Sequence, residues 1–171
     1  FDDEGITDRI VEGRRTSSYF IPIARPKKKA SQPALYQVEW TQDRVEETKL
    51  VNEIRGRLAV WRQGGYAGVT GTTRQLLAYW TDPDRERKFF FCQIEALETA
   101  IYITEVARKY GDAWIDNRLR EANEGANPGL FRVAFKMATG SGKTVVMAML
   151  MAWQALNKLA DPQDARFSDA F

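Results

Sequence analysis

The stretch "MATGSGKT", residues 137–144, combines residue types that bind phosphate. Gly140 and Gly142 let backbone N–H groups turn towards phosphate oxygens, because a Cβ there would block the approach. Lys143 supplies a cation for the β- and γ-phosphates, and Thr144 offers a hydroxyl to Mg²⁺. The loop therefore predicts a nucleotide with Mg²⁺ as the ligand, with Lys143 and Thr144 as the candidate catalytic residues and Thr144 as the metal ligand. The predicted phosphate-binding residues are Thr139, Gly140, Ser141, Gly142, Lys143 and Thr144.

The flanking sequence has the order that such a loop requires. "LFRVAF" before it has the length and apolar content of a strand, and "VVMAMLMAWQALNKL" after it is typical of a helix whose positive dipole end points at the nucleotide. That helix is apolar nearly all round, which predicts burial against a parallel sheet. Met137 stands where the strict pattern GxxxxGK[ST] has its first glycine.

With Met137 in that position, the loop resembles motif I of superfamily 2 helicases, especially that of the Res subunit of type III restriction endonucleases. The resemblance extends from "TDPDRERKFFFCQIEALETAIY" to the C-terminus. In that family a glutamine upstream of motif I reads the adenine of ATP, and Gln93 in "FFFCQIEALETA" takes its place. A glutamine amide can pair bidentately with adenine N6 and N7. The alternative for Gln93 is an exposed polar residue on an amphipathic helix. The chain departs from the family at Phe90, where an arginine is often found, and in its long spacer before the loop.

The resemblance implies an ATP-dependent DNA helicase or translocase subunit of a restriction enzyme, a hydrolase in its full-length form. It implies double-stranded DNA as a partner and a methyltransferase or specificity subunit as another. The acidic motif II and the second RecA-like domain of the family are not found in residues 1–171. We therefore expect an N-terminal portion that binds nucleotide weakly, if at all, hydrolyses none, and self-associates through open strand edges.

Two other functions remain open. One is a small self-contained P-loop NTPase, which the short sequence after Thr144 disfavours because such a fold needs several further strands. The other is a helical interaction module with a vestigial P-loop. Binding of labelled ATP with Mg²⁺, and its loss in Lys143→Ala, distinguishes the module from the ATP-binding subunit.

Composition excludes several other classes. The chain has 171 residues, a net charge of +2, no histidine and one cysteine, so zinc sites and triads that need histidine cannot be built within it. The string "PDRERK" looks like a PD(D/E)xK nuclease motif, but acids two residues apart in a helix-entry loop do not converge on a metal. We interpret Asp84 and Glu86 as first-turn acids of the next helix. The longest apolar run, Val145 to Trp153, is too short for a bilayer, so we expect a cytoplasmic protein without membrane contact.

We expect an α/β fold to position the loop. In this fold, a mostly helical N-terminal part leads into a partial RecA-like P-loop layer with an incomplete parallel sheet. We divide the chain into an extended arm and basic linker (1–36), a helical region with the adenine-reading helix (37–125) and the start of the RecA-like domain (126–171). Short extended pieces are expected over Ile10 to Ile23. Apolar periodicity predicts helices over Thr41 to Gln63, Thr73 to Trp80 and Glu86 to Tyr110, and another in "DAWIDNRLREANEG".

The two longer helices have predicted apolar faces and ends. The first should stop at Gly64 and Gly65, and its apolar face consists of Val51, Ile54, Leu58 and Trp61. The second should stop at Gly111, and its apolar face consists of Phe90, Ile94, Leu97 and Ile101.

Overall fold

A computed structural model describes residues 15–21, 44–129 and 131–170. The chain forms two compact units, residues 1–53 and 54–171. In the first, strand β1 (Ser18–Ile21) pairs antiparallel with strand β2 (Arg44–Glu47), with Ser18 opposite Glu47. β1 confirms an extended piece, whereas a turn at Gly13 and the basic linker lie outside the described residues. The predicted helix over Thr41 to Gln63 is wrong at its start, because residues 44–47 use their backbone groups to pair with β1.

Helix α1 spans Lys49–Gln63 and is followed by Gly64 and Gly65, as predicted. Ile54, Leu58 and Trp61 are buried, which confirms the apolar face expected for the helix. Val51 departs from that face, since 40% of its surface is exposed. Helix α2 spans Gly71–Thr81 and confirms the predicted short helix. Its N-cap is Thr70, whose hydroxyl accepts the Thr73 N–H at 3.0 Å.

Helix α3 spans Phe91–Ile101, so the predicted start at Glu86 is wrong. The preceding residues are held outside the helix by Arg85, whose guanidinium lies 4.5 Å from the ring centre of Tyr79 and 4.6 Å from that of Phe89. Arg85 Nε also donates to the carbonyl of Arg87 at 3.0 Å. The interpretation of Asp84 and Glu86 as first-turn acids is therefore also wrong, because both are exposed before the helix begins.

The α-helical geometry does not continue to Tyr110 as predicted. A π-helical turn, Tyr102–Val106, follows α3, and a 3₁₀ turn, Ala107–Tyr110, follows that. The predicted stop at Gly111 is confirmed, and its φ of 81° is one that glycine adopts without strain. Leu97 and Ile101 are fully buried, as the apolar pattern predicted. Phe90, predicted on the same face, is 61% exposed, because it precedes the helix.

Helix α4 spans Ala113–Ala126 and confirms the predicted fourth helix. The predicted strand at "LFRVAF" is wrong for its described residues, since 131–135 form no strand. A strand needs a hydrogen-bonding neighbour, and in the part of the chain that the structure describes no backbone group of residues 133–136 has a hydrogen-bond partner. The mostly helical architecture is confirmed, but the described residues contain no parallel sheet.

Helix α5 spans Lys143–Ala160 and confirms the helix after the loop. Its predicted burial against a parallel sheet is not found, because the described residues form no such sheet. One face is buried, and it carries Val146, Met149, Trp153 and Asn157. The opposite side exposes Val145, Met147, Met151, Leu156 and Leu159, because no described sheet covers it. None of the described helices is long and apolar enough to cross a membrane.

A buried polar cluster joins α2, the π-helical turn and α5. The Glu105 carboxylate accepts from the Thr70 N–H at 2.7 Å, the Thr73 hydroxyl at 2.6 Å and the Trp153 indole N–H at 2.9 Å. The Asn157 amide donates to the Thr73 hydroxyl at 3.0 Å and accepts from the Thr70 hydroxyl at 2.5 Å. Because each buried polar group finds a partner, the cluster fixes where α5 lies against α2.

The cluster predicts that Thr73→Val is much more destabilising than Thr72→Val. Thr73 is fully buried, and its hydroxyl serves Glu105 and Asn157, so valine leaves both without one partner. Thr72 lies one residue away in the same helical turn and is only half-buried. We expect Thr73→Val to lower the free energy of unfolding by about 2 kcal/mol and Thr72→Val by less than about 0.5 kcal/mol. Urea denaturation measures both, and equal costs would contradict the role of the cluster.

Candidate functional site

The predicted phosphate loop forms a tight turn before α5. Gly140 and Gly142 both have φ of 78°, a left-handed conformation that side chains with a Cβ adopt only with strain. The turn is closed by Ser141, whose N–H donates to the Ala138 carbonyl at 3.3 Å and whose hydroxyl donates to the same oxygen at 2.6 Å. Glycine is therefore favoured at both positions, as expected from the sequence.

The N-terminus of α5 offers a row of backbone donors. Gly142 is the N-cap and provides no side-chain cap, and the next two residues begin the helix. Within the described part of the chain, the N–H groups of Gly142, Lys143 and Thr144 have no hydrogen-bond partner. Three successive unpaired N–H groups at a helix N-terminus form a site for an anion, where the helix dipole adds partial positive charge.

The ammonium group of Lys143 lies over the loop. Its Nζ donates to the carbonyl of Ala138 at 2.9 Å and to that of Met137 at 3.2 Å. The side chain is exposed, so the cation is accessible from solvent. Thr144 is also exposed, and its hydroxyl has no hydrogen-bond partner among the described residues. Both side chains are thus available beside the unpaired N–H groups.

Gln93 lies against the loop although 48 residues separate it from Ser141 in sequence. Its Nε2 donates to the Ser141 carbonyl at 3.1 Å, and its Oε1 accepts the Phe90 N–H at 2.9 Å. Only 5% of the residue is exposed, unlike the exposed polar residue considered as its alternative. The structure thus brings Gln93 together with the loop, but both ends of its amide already have partners in the protein.

Gly142 is constrained by Gln93 as well as by its own backbone. A Cβ built on Gly142 would collide with the Gln93 amide nitrogen, whereas one built on Gly140 would meet open space. The contact between Gln93 and the Ser141–Gly142 segment was not predicted. Its signal in the sequence is weak, because it joins two segments distant along the chain.

Helix α3, which carries Gln93, is anchored by the buried carboxylate of Glu98. This carboxylate accepts from Tyr66 Oη at 2.6 Å and from Arg62 Nε at 2.9 Å, and Arg62 Nη2 donates to it as well. Burial and the bond to Glu98 raise the pKa of the Tyr66 phenol. The hydrogen bond from Arg62 to Glu98 likewise raises the pKa of the Arg62 guanidinium, so Arg62 stays charged across the physiological range. A fixed α3 places Gln93 reproducibly at the loop.

The donor set suits ATP with Mg²⁺ only in part. Thr144 provides one oxygen ligand, and Mg²⁺ commonly takes one or two protein ligands together with phosphate oxygens and water. In residues 15–21, 44–129 and 131–170, no group of three or more acidic, histidine or cysteine residues could hold a metal by itself. The loop thus fits a nucleotide that brings its own metal.

The predicted loop and Gln93 both fall within one family match. Residues 88–162 match the family model described as type III restriction enzyme, res subunit. This match confirms the predicted resemblance, although it begins seven residues inside the predicted segment, which started at Thr81, and ends before the C-terminus. The family comprises helicase-like restriction enzyme subunits, which generally use ATP and Mg²⁺ and interact with DNA. Comparison with curated proteins and comparison with solved structures gave no match for the chain.

The contact between Gln93 and Gly142 predicts a difference between two alanine substitutions in the loop. Gly140→Ala and Gly142→Ala both place alanine at φ of 78°, which costs roughly 1 to 2 kcal/mol. Only Gly142→Ala also displaces the Gln93 amide, which must then give up its hydrogen bond to the Ser141 carbonyl. We therefore expect it to cost about 1 kcal/mol more in the free energy of unfolding. In a Gln93→Ala background this excess should disappear. A double-mutant cycle by urea denaturation measures it, and an excess that persists without Gln93 would refute the contact.

Proposed function

We propose that this chain binds ATP with Mg²⁺ through residues 139–144, as part of an ATP-dependent DNA helicase or translocase subunit of a restriction-type endonuclease. The observation that carries the proposal is the row of three unpaired N–H groups at residues 142–144, beside the exposed ammonium of Lys143. The family match over residues 88–162 supports it independently.

Each loop residue has a distinct role in this proposal. The unpaired N–H groups and the dipole of α5 bind the phosphates, and Lys143 exchanges the carbonyls of Met137 and Ala138 for phosphate oxygens. Thr144 adds its hydroxyl to the coordination of the metal that accompanies the nucleotide. The glycines keep the backbone close enough for these contacts.

Gln93 is proposed to read the adenine base. Its side chain lies at the loop, so an adenine bound beside the loop comes within reach of the amide. To pair with adenine, the amide must break its hydrogen bonds to the Ser141 carbonyl and the Phe90 N–H. Alternatively, it keeps one of these two bonds and uses its remaining hydrogen-bonding groups for the base. The structure also supports a positioning role for Gln93, and nucleotide selectivity separates the two.

We further propose that residues 1–171 bind nucleotide weakly and do not hydrolyse it alone, since the described residues hold no acidic cluster for the attacking water and metal. The proposed partners are double-stranded DNA and a methyltransferase or specificity subunit, and the proposed location is the cytoplasm.

Self-association is proposed through residues 133–136, whose backbone groups have no hydrogen-bond partner in the described part of the chain. A strictly monomeric species by light scattering at high concentration would contradict it.

Lys143→Ala should abolish the binding of ATP with Mg²⁺, because it removes the cation beside the phosphates. Lys136→Ala is the matched control, since Lys136 is an exposed lysine near the loop and its ammonium has no hydrogen-bond partner in the described residues. Equilibrium dialysis with labelled ATP should show at least about a tenfold loss for Lys143→Ala and little change for Lys136→Ala. Equal affinities for the two variants would refute the site, and robust ATP hydrolysis by purified residues 1–171 would refute the absence of turnover.

Gln93→Ala should weaken ATP binding more than GTP binding if the amide reads adenine. A bidentate amide–adenine pair is worth roughly 1 to 3 kcal/mol, so we expect the ratio of ATP to GTP affinity to fall about tenfold. A residue that only positions the loop would lower both affinities together. Competition dialysis with both nucleotides measures the ratio, and an unchanged ratio with reduced affinity would assign Gln93 to loop positioning.

A further inference from the structure

Two exposed arginines converge on one shielded carboxylate beside α4. Arg108 Nη2 lies 2.5 Å from Asp116 Oδ2, and Arg120 Nε lies 3.0 Å from the same oxygen. The arginine side chains are 69% and 55% exposed, whereas that of Asp116 is 12% exposed. We name these three residues the arginine fork. Its acid is turned inward and its bases outward, so the surface it presents to solvent is positive.

Most of the hydrogen-bonding capacity of the fork is unused. A guanidinium has five N–H donors, and each arginine gives one of them to Asp116. Within the described residues, the remaining donors of Arg108 and Arg120 make no hydrogen bond. Burial alone would raise the pKa of Asp116, but its hydrogen bonds to the two arginines outweigh burial and hold it below the usual value. The fork therefore keeps a net charge of +1 at neutral pH.

The fork is held in place by its neighbours. The Arg120 guanidinium lies 4.8 Å from the ring centre of Phe131, which orients it by a cation–π contact. The Arg132 N–H donates to Asn123 Oδ1 of α4 at 2.9 Å, which ties the segment that carries Phe131 to the same helix. Two guanidiniums fixed side by side, with their other donors free, match the geometry of a phosphate group.

We propose that Arg108 and Arg120 bind a backbone phosphate of duplex DNA, independently of base sequence. The inference rests on the proposed function only in taking DNA as the partner. A small anion needs a site that surrounds it, whereas these side chains are open to solvent and suit a phosphate carried on a large surface. Arg118, which stacks on Trp114 at 5.2 Å, adds a further exposed arginine to α4. Phosphate contacts of this kind position a duplex without reading its sequence.

The test compares two variants with the same change in net charge. The triple variant removes the fork without leaving a shielded carboxylate unpaired. It combines Asp116→Asn, Arg108→Gln and Arg120→Gln. Arg74→Gln, the control, removes an exposed arginine of α2 whose guanidinium has no hydrogen-bond partner in the described residues. Fluorescence anisotropy with labelled duplexes of two unrelated sequences, at several salt concentrations, measures DNA affinity. Equilibrium dialysis measures ATP binding in the same preparations.

We expect the triple variant to lose at least about tenfold in affinity for both duplexes, and its salt dependence to fall by about one unit of slope, because one phosphate contact is lost. Arg74→Gln should stay near wild type, and ATP binding should be unchanged in both. If the triple variant does not fold, Arg108→Gln alone leaves Asp116 paired with Arg120 and should lower the affinity for both duplexes, with a loss of slope of at most about one unit.

Three results would overturn the inference. The first is equal DNA affinity in the triple variant and in Arg74→Gln. The second is a wild-type chain that binds inorganic phosphate stoichiometrically by calorimetry, and a triple variant that loses this binding but keeps its DNA affinity. This result would identify a site for a small anion. The third is a wild-type chain that does not bind duplex DNA at low salt. In each case, a wild-type chain that binds ATP leaves the proposed nucleotide site unaffected. A wild-type chain that binds no ATP would count against the nucleotide site and not against the arginine fork.

Discussion

The carboxylate of Glu105 is the constraint on which the position of the loop depends. A shielded charge is tolerated only where hydrogen bonds replace water, and here the donors come from α2 and α5. Trp153 and Asn157 cannot satisfy their polar groups in this cluster unless α5 lies at one place and one rotation. Since α5 begins at Lys143, the far end of the same rigid helix carries the phosphate loop. A polar contact in the core thus determines where the N–H groups at residues 142–144 point.

Gln93 applies a second, local constraint to the same loop. The cluster around Glu105 acts through the length of α5, whereas Gln93 touches the backbone of Ser141 directly. The two constraints approach the loop from different elements, α5 and α3, and Glu98 in turn fixes α3. Such a loop needs little rearrangement to meet a phosphate, which lowers the ordering cost of binding. Two partners compete for the Gln93 amide: it bonds to Ser141 and Phe90 in this structure, and it would bond to the adenine base in the proposed complex.

The sequence predicts those features of the structure that depend on residues close together in the chain, and it fails where distant residues interact. The apolar repeat of α1, the existence of the short helix α2 and the glycine loop before α5 are local features, and each was predicted. The Thr70 cap of α2 was not predicted. The start of α3 was not, because Arg85 holds its segment by stacking on two rings that no periodicity reveals. The buried face of α5 was also missed, since a helix that is apolar all round has no preferred side until the partners of Trp153 and Asn157 are known. Residues 131–135 read as a strand, but a strand forms only where a neighbour provides its hydrogen bonds.

The π-helical turn at Tyr102–Val106 makes this region sensitive to chain length. Such a turn accommodates one more residue than an α-helix of the same rise, so each of its residues turns through a smaller angle about the helix axis than the roughly 100° of an α-helix. A change that forced regular α-helical geometry on these five residues would alter the direction of the Glu105 side chain. Glu105 would then leave the donors of Thr73 and Trp153. One irregular turn therefore keeps in place the cluster that positions the loop, and natural variants should change length here far less readily than they change sequence.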